Sequence, residues 1–191
     1  MSDARIEAGL LVATPSQTVG PFFHVALTPE TAVGTVQPTM DGDRLHVVVR
    51  VSDGEGEPVS DAMVEIWQAA ARNSAPSTVR GDAPCGFGRL PTGEDGTCTF
   101  ETVRPGRTPD GRGGWQAAHI NVCLFARGLL RQLHTRLYFA GDPGLEGDAV
   151  LALVPEPRRQ TLVATRDAAR PDRWVFHVRL QGRDETVFFD V

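Results

Sequence analysis

Hydrophobic and polar residues alternate along several short stretches of the chain. From Leu45 to Val51, apolar residues hold every second position, and His46 and Arg50 lie between them. Successive side chains of a strand point to opposite faces, so this period of two predicts a strand with one buried face. Comparable apolar stretches predict further strands at Ala62–Ala70, Thr97–Val103, His119–Ala126, Leu133–Ala140, Thr161–Arg166, Arg173–Leu180 and Glu185–Val191.

Helix is expected in one place only. Asp148–Val154 has the composition of a helical turn, and Pro155 is expected to end it. Pro15 and Pro21 exclude a regular helix from Thr14–Pro21 and favour an extended chain, so residues 1–21 are predicted to form an N-terminal arm. About eight short strands with little helix predict an all-β fold, a β-sandwich. A chain of 191 residues fits a single domain of this kind over residues 1–191.

The composition allows a sizeable core and argues against some partners. Apolar residues make up 41% of the chain, and the formal net charge is −5. Nucleic-acid binding normally needs a basic surface, so this acidic balance argues against it. Cys85, Cys98 and Cys123 are odd in number and irregularly spaced, which favours a reducing compartment over a disulfide framework, and we expect Cys98 and Cys123 to be buried. No segment has the pattern of a signal peptide or a membrane span, so we expect a soluble cytoplasmic protein.

His119 and Asn121 stand two positions apart on a predicted strand, so their side chains should lie side by side. A His-x-His pair here would be able to bind a transition metal, but a neutral amide is a poor ligand for a redox iron. The chain has a single tyrosine, Tyr138, so a site with two phenolates is impossible. We therefore expect a structural, hydrogen-bonded role for His119 and a buried hydroxyl with a partner for Tyr138.

Arg127 ends an apolar strand just before Gly128, where the chain is expected to turn. Its guanidinium should therefore extend beyond the edge of the sandwich. A planar guanidinium binds a carboxylate through two parallel hydrogen bonds. From the residues alone, a solvated surface arginine is the favoured interpretation, and a carboxylate-binding residue is the alternative.

Several longer motifs follow one another along almost the whole chain. They are TPSQTVGPFFH at Thr14–His24, VEIWQA at Val64–Ala69, FGRLPTGEDGTCTFETVRPG at Phe87–Gly106, WQAAHINVCLFARG at Trp115–Gly128, LHTRLYF at Leu133–Phe139 and GRDETVFFDV at Gly182–Val191. Through these motifs the sequence resembles the intradiol ring-cleaving dioxygenases. Short accidental matches do not extend over such a length in the same order.

In the two-chain members of that family, the catalytic beta chain holds non-haem Fe(III) with two tyrosines and two histidines, and a W-R-P-A-H-I-H segment supplies the histidines. This sequence has Gln116 in place of the arginine, keeps His119, and has Asn121 in place of the second histidine. Neither ligand tyrosine has a counterpart. The resemblance therefore implies an iron-free alpha subunit, with Fe(III) held by the partner beta subunit and with protocatechuate and O2 as substrates of the assembled enzyme.

The resemblance also implies substrate-binding residues. The L-F-A-R-G motif places Arg127 at a pocket shared with the beta subunit, where it receives the substrate carboxylate. The T-P-S-Q-T-x-G-P motif places Thr18, Gly20 and Pro21 along the same pocket, and an arm that only ties the subunits together is the alternative for these three. No catalytic or metal-binding residue is expected in this chain.

A second hypothesis is a stand-alone β-sandwich binding or carrier module without catalysis. It predicts a stable homo-oligomer when the chain is expressed alone. A dioxygenase subunit should instead be poorly soluble without its partner, because its apolar contact surface would be exposed. A metalloenzyme that uses His119 with Glu65 or Asp142 is a third option, but it lacks a recognisable ligand spacing.

Overall fold

The computed structural model describes residues 14–20, 26–28, 42–69 and 86–190. Within these residues the chain is mostly strand. The strands are β1 (Arg44–Ser52), β2 (Met63–Gln68), β3 (Phe87–Pro91), β4 (Thr97–Val103), β5 (Thr108–Pro109), β6 (Trp115–Gln116), β7 (His119–Phe125), β8 (Leu133–Phe139), β9 (Val163–Arg166) and β10 (Arg173–Arg179). The short strands β5 and β6 pair with each other, and the other strands form one larger sheet.

The larger sheet is continuous and folds into two halves that face each other. Its strand order is β3-β2-β7-β8-β9-β10-β1-β4. Strand β9 joins the halves, because it pairs in parallel with β8 and antiparallel with β10. Strands β3 and β4 follow each other through a short turn and approach at the other edge. The all-β sandwich predicted from the sequence is therefore confirmed.

The core lies between the two halves. Val47, Val49 and Val51 of β1 are fully buried on one face, as the period of two predicts, and on the other face Arg50 is exposed and Val48 is buried. The same core takes residues from β7 on the opposite half, namely Ile120, Val122 and Leu124. Burying one such side chain contributes about 1.5–3 kcal/mol, so these alternating positions supply much of the stability of the sandwich.

Short helical turns cover the outer side of β8. Residues Leu145–Gly147, Leu151–Leu153 and Gln160–Leu162 form 3₁₀ turns, and Glu156–Arg159 forms one α-helical turn. The prediction of a helical turn near residue 150 is thus confirmed. Pro155 follows the end of that turn, where Val154 is extended, but it does not end the helical region as a whole. It stands immediately before the α-helical turn, because the fixed φ of proline suits the start of a helix as well as the position after one.

The prediction of a strand at Glu185–Val191 is wrong for the described residues, 185–190. Thr186 N–H donates to Arg179 O on β10, whereas Phe189 N–H donates to His134 O on β8. The segment therefore crosses from one strand to another instead of pairing along a single strand. Its alternation has another cause, because Val187 and Phe189 pack on a small cluster beneath the helical turns. Strand β3 takes the eighth place in the sheet.

Cys98 and Cys123 are buried and unpaired, as predicted, and Cys85 lies outside the described residues. Burial raises the pKa of both thiols to about 12, so they are uncharged at neutral pH. In the part of the chain described here, no helix has the length and apolar character required to span a membrane.

Candidate functional site

The N-terminal arm and the turn after β7 meet through a threonine hydroxyl. Thr18 Oγ1 accepts a hydrogen bond of 2.8 Å from the backbone N–H of Gly128 and a longer one, 3.4 Å, from the N–H of Gly20. Gly128 has a φ of +91°, which a side chain would strain, and this conformation turns the chain directly after Arg127. Thr18 and Gly20 therefore lie beside Gly128, the residue that follows Arg127.

Arg127 is exposed but not free of partners. Its side chain is 64% exposed, and its Nη2 lies 2.8 Å from Asp61 Oδ2 in the turn before β2. A guanidinium has five N–H donors in a planar fork, so one carboxylate does not use them all. The arrangement leaves a cation at the surface that is held in position by Asp61 and can still bind a second anion.

The arm and the turn also enclose a small cavity of about 80 Å³, lined by Gln17 and Val19 from the arm and by Leu129 after the turn. Gly20 has a φ of +64°, and a Cβ added there meets no described atom within 4 Å. The left-handed φ of Gly20, and not a close neighbour among the described atoms, favours glycine at this position. Pro21, the fourth predicted pocket residue, lies outside the described residues.

His119 has the buried hydrogen bond that the sequence predicts. Its Nδ1 lies 2.8 Å from the backbone oxygen of Ala117, and its ring lies 5.9 Å from that of Tyr138. Burial lowers the pKa of His119 from its ordinary value, and the nearby Arg136 guanidinium lowers it further. The neutral imidazole is therefore the favoured form in the folded protein.

The groups around His119 do not fit a ferric ion. Asn121 is exposed and carries a neutral amide. The Tyr138 hydroxyl donates to Asp148 Oδ1 at 3.0 Å, and burial raises its pKa to about 12, so it is not a phenolate at neutral pH. In the described ranges, no cluster of three or more His, Cys, Asp or Glu side chains has metal-binding geometry. One imidazole beside an amide is a poor donor set for Fe(III).

Asp148 is a buried carboxylate that the sequence did not indicate. Its side chain accepts hydrogen bonds from the backbone N–H groups of Ala117 (2.8 Å), Val150 (3.0 Å) and Leu151 (2.7 Å), besides the Tyr138 hydroxyl. These bonds connect the segment between β6 and β7, strand β8 and the helical turns. Asp148 therefore fixes the segment that positions His119 and Tyr138, and a buried carboxylate is tolerated there because its lone pairs are satisfied.

Comparison with known proteins identifies the family. The family model described as Dioxygenase matches residues 19–182. Among solved structures, the dioxygenase domain of a dioxygenase carbohydrate-binding protein fusion from Streptomyces sp. SirexAA-E has a TM-score of 0.62 and 27% sequence identity, and the match covers 88% of this chain and 98% of that one. The chain belongs to the intradiol dioxygenases, a family of non-haem Fe(III) oxidoreductases.

Two curated relatives make the comparison more specific. The protocatechuate 3,4-dioxygenase alpha chain of Burkholderia cepacia is 42% identical, over 95% of this chain and 98% of that protein. The protocatechuate 3,4-dioxygenase beta chain of the same organism is 34% identical, over 90% of this chain and 77% of that protein. The chain is therefore similar to both partners of a two-chain enzyme, and more similar to the alpha chain.

Proposed function

We propose that this chain is an iron-free alpha subunit of protocatechuate 3,4-dioxygenase. The observation that carries the proposal is the identity of 42% over nearly the full length of an alpha chain, against 34% for the beta chain. The assembled enzyme would cleave protocatechuate to 3-carboxy-cis,cis-muconate. Both atoms of O2 enter this product, so the reaction needs no further oxidant or reductant.

In this proposal Fe(III) is held by the beta subunit. The support from this chain is the chemistry of its own residues, since His119 accompanies an amide at Asn121 and the one phenol is buried against a carboxylate. The bound iron would supply activation of the catechol and O2. This chain would complete the wall of the pocket and contribute to the subunit contact.

Four residues of this chain are proposed to line the shared pocket: Arg127, Thr18, Gly20 and Pro21. The support is geometric for three of them, because the Thr18 hydroxyl bonds to Gly128 and Gly20 beside the exposed Arg127 guanidinium. A cation next to a short, hydrogen-bonded arm is suited to receive the carboxylate of protocatechuate. Binding energy of this kind orients the ring for reaction elsewhere in the pocket.

A stand-alone binding or carrier module is not favoured, because the chain matches subunits and enzymes of one family over most of its length. The two functions differ in behaviour. A carrier module would be complete as a homo-oligomer. The proposed subunit would need its beta partner to take part in turnover.

Co-expression tests the proposal. The chain is produced with a beta chain of this enzyme, with one affinity tag on the beta chain only, and O2 uptake is measured with protocatechuate. We expect the untagged chain to copurify with the beta chain and the pair to be active. Failure of the two chains to associate, or equal activity of the beta chain without this one, would contradict the proposal.

Replacing Thr18 by valine tests the arm. Valine keeps the shape of threonine but removes the acceptor of two N–H groups. A hydrogen bond of this kind contributes about 0.5–1.5 kcal/mol, so we expect KM for protocatechuate to rise about two- to tenfold in the assembled pair. Thr14→Val, in the same exposed arm, is the matched control.

A different result is expected if the arm only holds the two subunits together. In that case, deletion of residues 1–21 separates the two chains in size-exclusion chromatography. If the arm lines the pocket, the truncated chain stays in the pair and binds protocatechuate more weakly.

A further inference from the structure

A cavity of about 400 Å³ lies on the outer face of the sheet half formed by β3, β2, β7 and β8. Strand register places two rows of side chains on its floor. The first row is Trp67, Asn121 and Arg136, and the second row is Glu65, Cys123 and His134. The volume lies within the range of about 300–1,000 Å³ that is usual for small-molecule pockets. None of these residues belongs to the arm and turn described above.

The first row carries a positive charge that forms no ion pair with a described carboxylate, and Asp148 reaches it only through the Tyr138 hydroxyl. Arg136 donates to Gln116 Oε1 at 2.7 Å and, more weakly, to the Tyr138 hydroxyl oxygen at 3.4 Å, and both acceptors are neutral. Among the described residues, the ion pairs do not include Arg136. The interaction with Gln116 holds the guanidinium in a fixed direction beside the cavity. A planar cation fixed in this way favours a carboxylate ligand.

The acidic groups of the cavity do not cancel this charge. Glu65 in the second row is already bonded to Arg89, whose Nε lies 2.8 Å from Glu65 Oε1. Cys123 is uncharged, because burial raises the pKa of its thiol to about 12. Asp190 follows Phe189, whose backbone N–H donates to His134 O, so it lies at the second-row end of the cavity. A negative group is therefore best accommodated at the Arg136 end of the cavity and away from Asp190.

The other end of the first row is aromatic. Trp67 is 44% exposed, although one side of its ring packs on Phe87 with a centroid distance of 4.5 Å. An exposed indole that is held by a neighbour is suited to stack with a flat ligand. Asn121 lies between the indole and the guanidinium and presents an exposed amide, which can bond to a hydroxyl substituent.

We propose that this cavity is a binding site for a small aromatic carboxylate, carried by this chain itself. The ring stacks on Trp67, the carboxylate binds Arg136, and a ring hydroxyl bonds to Asn121. The inference does not depend on Arg127 or on the arm. It assigns this chain a ligand site in addition to the proposed role in the shared pocket.

The test uses fluorine NMR with 5-fluorotryptophan incorporated into this chain, in the pair with an unlabelled beta chain. Replacing Trp67 by phenylalanine identifies its resonance. The probe is 4-hydroxybenzoate, and we expect it to shift the Trp67 resonance in a saturable way and to leave that of Trp115 in place. Arg136→Gln is expected to weaken probe binding about tenfold or more, since a charged hydrogen bond is lost.

Two comparisons keep the result interpretable. Arg50→Gln, an exposed position on β1 in the other half of the sheet, should leave the affinity unchanged. Phenol, which lacks the carboxylate, should bind the wild-type chain at least about tenfold more weakly, and this comparison holds even if the Arg136 variant does not fold. A Trp67 resonance that does not move, or equal affinity for phenol and 4-hydroxybenzoate, would overturn the inference. O2 uptake of the same pair reports on the proposed function separately.

Discussion

Replacing Arg127 by alanine is expected to raise KM for protocatechuate ten- to a hundredfold in the assembled pair. The guanidinium is 64% exposed and its direction is set by Asp61 at 2.8 Å, so it can bond to the substrate carboxylate without a large rearrangement. A charged hydrogen bond contributes about 1.5–3 kcal/mol, which gives this range if the contact is equally strong in the ground and transition states. The KM for protocatechuate is measured from steady-state O2 uptake at varied protocatechuate concentration.

Matched variants show whether a raised KM comes from the loss of a contact with the substrate carboxylate or from a loss of structure. Arg127→Lys keeps the charge but loses the planar fork, so its KM should fall between those of the wild type and Arg127→Ala. Arg112→Ala removes an exposed arginine from the turn between β5 and β6, outside the cavity beside the arm, and should have little effect. An unchanged KM in Arg127→Ala would exclude the proposed role.

Replacing Asp148 by alanine is expected to cause the largest loss of stability, about 3–5 kcal/mol. Asp148 is 1% exposed, and its removal leaves three backbone N–H groups and the Tyr138 hydroxyl without their acceptor. A buried donor that loses its acceptor still has the free-energy cost of desolvation, and no hydrogen bond offsets that cost. Urea unfolding of the assembled protein at fixed concentration, followed by tryptophan fluorescence, measures the change.

The size of this effect should depend on how many bonds are lost. Tyr138→Phe removes one donor and the bond it makes, and should cost about 1 kcal/mol. Asp110→Ala is the control on an exposed turn, where the carboxylate also accepts two backbone N–H bonds. Water replaces those bonds in the variant, so the loss should be smaller than in Asp148→Ala. Equal losses for Asp110→Ala and Asp148→Ala would show that burial is not the cause.

The sequence predicted most of the sheet because its strands are half-buried. In β1, for example, Val47, Val49 and Val51 face the core and Arg50 faces solvent, so the pattern and the environment agree. The same pattern misled at Glu185–Val191, where alternate side chains pack on a cluster while the backbone bonds to two different strands. Alternation reports which side chains are buried, and it does not identify the hydrogen-bond partner.

The sequence predicted only those features of the site that depend on the identity of single residues. Asn121 beside His119 and the single tyrosine were visible in the sequence, as was the motif that contains Arg127. The contact of Thr18 with Gly128 and the ion pair of Arg127 with Asp61 join residues far apart in the chain. Such contacts depend on the path of the folded backbone, so no local sequence pattern predicts them.

This chain keeps the fold of an intradiol dioxygenase, and we propose that it lacks the ligands needed to hold the iron. The most direct measurement is the iron content of the purified chain after incubation with ferric iron and removal of the excess, compared with that of the chain paired with its beta partner. The account predicts that iron stays with the pair and is washed from the chain alone. One tightly bound iron per chain in the absence of the beta subunit would contradict it.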